Sequence, residues 1–196
     1  MNVATPRLDG VVDTYVTDVL DAIEEAGGVT VVAAYLIGSA ATGDFDPAQS
    51  DLDVVAIVDR PLRGARVPVV EAIGRLACPF RALELVVYVQ GEQPPNFELN
   101  VNADRSAVVE KPDEPRFWFV IDAALAQERA VPFGDDEPWP TWFAPVTEER
   151  LREALVQSVA WSEAQPSEDE VARLNAIRAR HYLETREWLA KSDAAS

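Results

Sequence analysis

The chain has 196 residues, with 17 Lys and Arg against 34 Asp and Glu and a formal net charge of −17 at pH 7. Acidity of this size opposes nucleic-acid binding, which rests on cations that neutralise phosphates. It suits a small cationic ligand, which an acidic cleft concentrates.

The composition, 48% apolar and 26% charged, is globular, and no apolar run approaches the roughly 18 residues of a membrane span. The single cysteine, Cys78, excludes an internal disulfide and reads as a small core residue. Residues 1–7 hold neither the basic nor the apolar part of a secretion signal. A cytoplasmic monomer is expected, without membrane or nucleic-acid partners.

Val11, Val12, Tyr15, Val16, Val19, Leu20 and Ile23 recur at helical spacing and predict a helix over 7–26, ended by Gly27-Gly28. Residues 29–37 read as a strand, 59–64 as a turn and 65–77 as a helix stopped by Pro79. Two further strands are predicted over 52–58 and 81–89. Phe97, Leu99 and Val101 alternate with polar residues and suggest a fourth, half-exposed strand within 96–110. Pro112-Asp113-Glu114-Pro115 marks a domain boundary. Helices follow over 116–129, 148–163 and 168–191, with a connecting loop over 134–146 whose Trp139 and Trp142 read as structural plugs. His181, the only histidine, reads as a packing residue.

Residues 36–58 carry the chemistry. An apolar strand ends in Gly38-Ser39, and a second strand starts at Asp51-Leu52-Asp53. Side chains on a strand alternate faces, so Asp51 and Asp53 share one face. Paired carboxylates favour a shared hard cation such as Mg2+, which also keeps phosphate oxygens in its shell. Gly38 permits close backbone approach, and Ser39 offers a hydroxyl and an N–H to a phosphate.

Glu84 interrupts an otherwise apolar strand. A carboxylate there must be paired or bind a metal. It reads as a third acidic member of the site, opposite the aspartates and able to act as general base. Pairing with Arg81, or an open sheet face, are its structural alternatives.

The order strand, Gly-Ser, gap, Asp-x-Asp, strand resembles the nucleotidyltransferase superfamily of the DNA polymerase beta type. Tyr-Leu-Ile-Gly-Ser-Ala-Ala-Thr-Gly-Asp-Phe, Ser-Asp-Leu-Asp-Val-Val and Arg-Ala-Leu-Glu-Leu-Val-Val-Tyr-Val are together similar to aminoglycoside adenylyltransferases of the streptomycin/spectinomycin type. The resemblance implies an α+β fold. A mixed nucleotidyltransferase sheet with flanking helices (1–112) precedes an all-helical, shortened substrate-binding domain (113–196).

It also implies Mg2+-dependent transfer of AMP from ATP to a hydroxyl of a small cationic, aminoglycoside-like acceptor, and a role in antibiotic resistance. Asp51, Asp53 and Glu84 would hold metal, with Glu84 as base. Gly38, Ser39, Ser50, Arg178 and Lys191 would face the nucleotide. Trp161, Glu168, Asp169 and Glu170 resemble residues that face the acceptor. Near Asp104 the chain departs from the family, which has a tryptophan contacting streptomycin. Transfer to a protein partner, as in toxin–antitoxin systems, and an inactive nucleotide-binding module are the rival readings. The helical second half counts against the first, and the complete acidic set against the second.

Overall fold

The structure, a computed structural model, describes residues 10–43, 45–134, 137–166, 168–189 and 191–194. Its elements in chain order are α1 (Gly10–Gly27), β1 (Val31–Leu36), α2 (Gly38–Thr42), β2 (Asp51–Val58), α3 (Arg66–Ile73), β3 (Ala82–Val89), β4 (Leu99–Asp104), β5 (Val108–Glu110), α4 (Arg116–Arg129), β6 (Val131–Pro132), α5 (Glu148–Glu163), α6 (Glu170–Thr185) and α7 (Lys191–Ala194). The chain divides into two compact units. One is Met1–Glu114 with Leu125–Pro145, and the other is Pro115–Ala124 with Val146–Ser196.

The first unit is built on a six-stranded sheet ordered β5-β4-β3-β2-β1-β6. Only β2 and β3 are parallel, and α3 makes the crossover that a parallel pair requires. Strand alternation sends Leu52, Val54, Ala56, Leu83, Leu85, Val87, Leu99 and Val101 to one face. Val12, Val16, Val19 and Ile23 of α1 recur every three or four residues and cover that face with Val69 and Ile73 of α3. Cys78 is buried in the same core, as its apolar surroundings suggested.

Part of the opposite face is covered by the segment after α4. Trp139 packs edge-on against Tyr35, with ring centres 5.2 Å apart, and Phe143 packs likewise against Tyr88 at 5.1 Å. The Gln93 side chain clamps the segment by donating to the Trp142 carbonyl and accepting from the Ala144 N–H. Trp139 is thus buried as a structural plug, as expected.

Two expectations need correction. The fourth strand is an interior one, because β5 pairs along its other edge and Leu99, Val101 and Ala103 are buried. The helix expected over 168–191 runs only from Glu170 to Thr185. Arg186 adopts the left-handed conformation with φ 66°, and its N–H caps the helix on the Tyr182 carbonyl. The chain then turns back, so that Trp188 stacks on Tyr182 at 4.2 Å.

In the second unit α5 and α6 pack together. Thr147 and Asp169 cap them, accepting from the N–H groups of Arg150 and Ala172. Arg186 and Glu148 form an ion pair at 2.6 Å between the end of α6 and the start of α5.

Candidate active site

The same face of the sheet, opposite α1 and α3, carries the acidic residues. Asp53 on β2 lies directly opposite Glu84 on β3, and Glu84 lies opposite Asn102 on β4. Asp51, two residues before Asp53, shares their face. The two strands are neighbours and Glu84 faces the aspartates, as the paired acidic motifs required.

The turn that ends β1 is tied to the start of β2. The N–H of Ile37 donates to the Asp53 carbonyl at 3.1 Å, which ties the end of β1 to the start of β2. Gly38 follows with φ 60°. A Cβ at Gly38 would collide with the Asp53 carboxylate, so glycine is required there for both conformation and space. Ser39 is half-buried in the first turn of α2.

The loop entering β2 is bonded to itself. Ser50 donates its N–H to the Asp46 carbonyl at 2.7 Å, and its Oγ accepts from the Asp46 N–H. Phe45 anchors the same loop on Phe80, which meets Tyr15 of α1. A chain of edge-on aromatic contacts therefore runs from the core to the loop that delivers Asp51.

Two partners of the acidic group escaped sequence reasoning. Arg81 grips Asp51 through both ends of its guanidinium, with Nε donating to Oδ1 at 2.7 Å and Nη2 donating to Oδ2. Sequence spacing equally offers Arg81 the carboxylate of Glu84, three residues away. The parallel register instead sets Asp51 opposite Ala82, beside it. Asn102 donates Nδ2–H to Glu84 Oε1 at 3.2 Å. The pairing of β3 with β4 was the missing signal.

Glu84 reaches solvent, yet protein surrounds enough of its carboxyl to make charge costly. That loss of water, followed by repulsion from Asp51, raises its pKa. Lys111 and a hydrogen bond with Asp53 pull the other way.

Among the described residues, no three His, Cys, Asp or Glu side chains form a ready cage for an ion. The donor set fits Mg2+ nonetheless. Two hard carboxylates stand on one face, and Mg2+ takes its remaining ligands from phosphate and water.

The family comparison agrees with this geometry. The nucleotidyltransferase domain family matches residues 16–122, more than half of the chain and all of α2, β2 and β3. The chain belongs to the nucleotidyltransferase domain family. It is therefore an enzyme of nucleotidyl transfer. Among solved structures, the nucleotidyltransferase is similar to spectinomycin adenyltransferase AAD(9) from Enterococcus faecialis, crystallised with ATP and spectinomycin. The TM-score is 0.70 at 16% identity, over 92% of this chain and 79% of that one. At that identity the likeness establishes the fold: a mixed sheet with flanking helices and a helical C-terminal region. No curated protein matches the sequence. No helix among the described residues is long and apolar enough to cross a membrane.

In the second unit of the nucleotidyltransferase, Trp161 meets Trp118 edge-on at 5.8 Å and Phe117 at 6.4 Å. Asp169 spends Oδ1 on capping α6, whereas Glu168 and Glu170 are exposed. Arg178 donates Nε–H to the Leu189 carbonyl at 3.0 Å. The side chain of Lys191 lies outside the described residues.

Proposed function

We propose that the protein transfers AMP from ATP to a hydroxyl of a small cationic acceptor of the aminoglycoside kind, with Mg2+ as cofactor. The observation that carries this reading is the register that sets Asp53 against Glu84 with Asp51 beside them. The fold it shares with an adenyltransferase solved with ATP and spectinomycin supports the nucleotide and the acceptor class. The net charge of −17 favours a cationic acceptor over nucleic acid.

Asp51 and Asp53 would hold Mg2+, which when bound supplies charge that steadies the phosphates. Gly38 keeps the backbone clear of Asp53, and Ser39 and Ser50 stand on the segments flanking the carboxylates. Glu84 is the general base. Its raised proton affinity suits it to take a proton from a hydroxyl, and Asn102 orients it by holding Oε1. The acceptor oxygen bonds to the α-phosphorus, the α–β phosphoanhydride bond breaks and pyrophosphate leaves. Catalysis here is chiefly positioning and charge neutralisation. Trp161, Glu168 and Asp169 would face the acceptor, and Arg178 with Lys191 the nucleotide phosphates.

Calorimetric titration of MgATP, followed by streptomycin, spectinomycin and other aminoglycosides, tests the reading. ATP binding and an aminoglycoside response that requires ATP are expected. ATP binding without any aminoglycoside response would transfer the acceptor role to another class, proteins included.

A further inference from the structure

Both oxygens of Asp51 are taken. Arg81 Nε donates to Oδ1 at 2.7 Å and Nη2 to Oδ2, the two-pronged geometry that makes guanidinium–carboxylate pairs strong. A divalent ion that binds Asp51 must therefore compete with a cation already seated on both of its oxygens. The two partners differ in their surroundings. The Asp51 side chain is 18% exposed, while that of Arg81 is 55% exposed. The carboxylate is fixed by β2, and the arginine is the partner that can leave.

Arg81 also has somewhere to go. It lines a hollow of about 350 Å³ with Ala48, Asp104, Arg105 and Ser106. Asp104 already receives the Ser106 and Ala107 N–H groups and the Ser106 hydroxyl on Oδ1. It places a second anion in the same hollow, available to a released guanidinium.

We propose that Arg81 is a positioning residue that closes Asp51 to free divalent ions and yields it when the nucleotide triphosphate brings an ion in. The inference rests on the metal role assigned above to Asp51. A bare ion meets the full competition of the guanidinium. A triphosphate-bound ion arrives with additional oxygen ligands and negative charge, which offset the loss of the Arg81 pair. Ion entry is thereby coupled to nucleotide entry, and such coupling is reciprocal. The arginine also places a positive charge on Asp51 beside Asp53 and Glu84.

The test titrates Mn2+ alone, without nucleotide, into the wild-type chain, Arg81→Ala, Arg81→Lys and Asp51→Asn. Arg81→Ala is expected to bind Mn2+ about tenfold more tightly than wild type, the value of one charge-assisted pair. Arg81→Lys, which keeps the charge but loses the fork, should fall between them, and Asp51→Asn should lose the binding. Thermal melting separates this role from simple bracing. Arg81→Ala should melt below wild type without metal, and the gap should close at saturating Mn2+. Equal Mn2+ affinity in wild type, Arg81→Ala and Arg81→Lys, or a melting gap unchanged by Mn2+, overturns the inference and leaves the metal site standing. Absence of Mn2+ binding from every variant overturns both.

Discussion

In the sheet unit, Asp53, Glu84 and Asn102 stand abreast on three neighbouring strands, and a glycine leaves room for one of them. In the helical unit, Asp169 caps its own helix and Arg178 binds a carbonyl eleven residues ahead. Strand pairing sets charged groups against one another across the sheet, where each must find a partner or a cation. Helix ends instead offer charged groups unsatisfied backbone of their own. The crowded acids of the sheet are thus the stronger evidence for chemistry. In the helical unit, Asp169 and Arg178 already have structural work.

The largest effect that sharpens this contrast is at Glu84. Glu84→Gln should lower kcat by roughly 10²- to 10⁴-fold, the usual range for a general base, with ATP affinity by calorimetry little changed. Turnover near the wild-type level would move the base elsewhere.

Gly38→Ala comes next. It forces a side chain into the left-handed region and into the Asp53 carboxylate. Urea unfolding should show a loss of about 1–3 kcal/mol. Combination with Asp53→Ala should return part of it, because the collision partner is gone. Strictly additive losses would mean that Gly38 is needed for conformation alone.

The smallest effect lies in the helical unit. Asp169→Ala should cost about 1 kcal/mol of stability through the lost cap, while Asp169→Asn keeps the cap and costs little. The same pair sorts structure from recognition. If Asp169 also faces a cationic acceptor, Asp169→Asn raises KM for that acceptor at unchanged stability. An unchanged KM confines Asp169 to capping.

How much of this was legible in the sequence follows the same division. The alternation of Asp51-Leu52-Asp53 and the lone carboxylate in Ala-Leu-Glu-Leu-Val-Val were enough to predict adjacent strands with facing acids. A period-two side-chain pattern fixes the face, and burial fixes the register. The Arg81–Asp51 pair was not legible, because one arginine lies within reach of either Asp51 or Glu84 and only the strand pairing decides. Asn102 was hidden because β4 read as half-exposed, and nothing local announces that the short strand Val108–Glu110 covers its edge. The early end of α6 was hidden for a different reason. Arg186 ends it in a left-handed conformation that sequence rules reserve for glycine or asparagine.

The role of Glu84 as base shows most directly in its titration. Loss of water and the charge of Asp51 raise its pKa, so the group stays protonated to higher pH than an ordinary glutamate. The folded state therefore binds this proton more tightly than the unfolded chain. Its contribution to stability is full below the unfolded value and is lost as pH rises through the folded one. Activity runs the opposite way, since the base works only when ionised.

The measurement is the pH dependence of kcat/KM for acceptor-dependent pyrophosphate release, wild type beside Glu84→Gln. The account predicts a wild-type rate that rises with pH through the ionisation of Glu84, and a residual rate without that limb in Glu84→Gln. The same limb in both proteins, or a wild-type rate independent of pH across it, would contradict the assignment of Glu84 as the base.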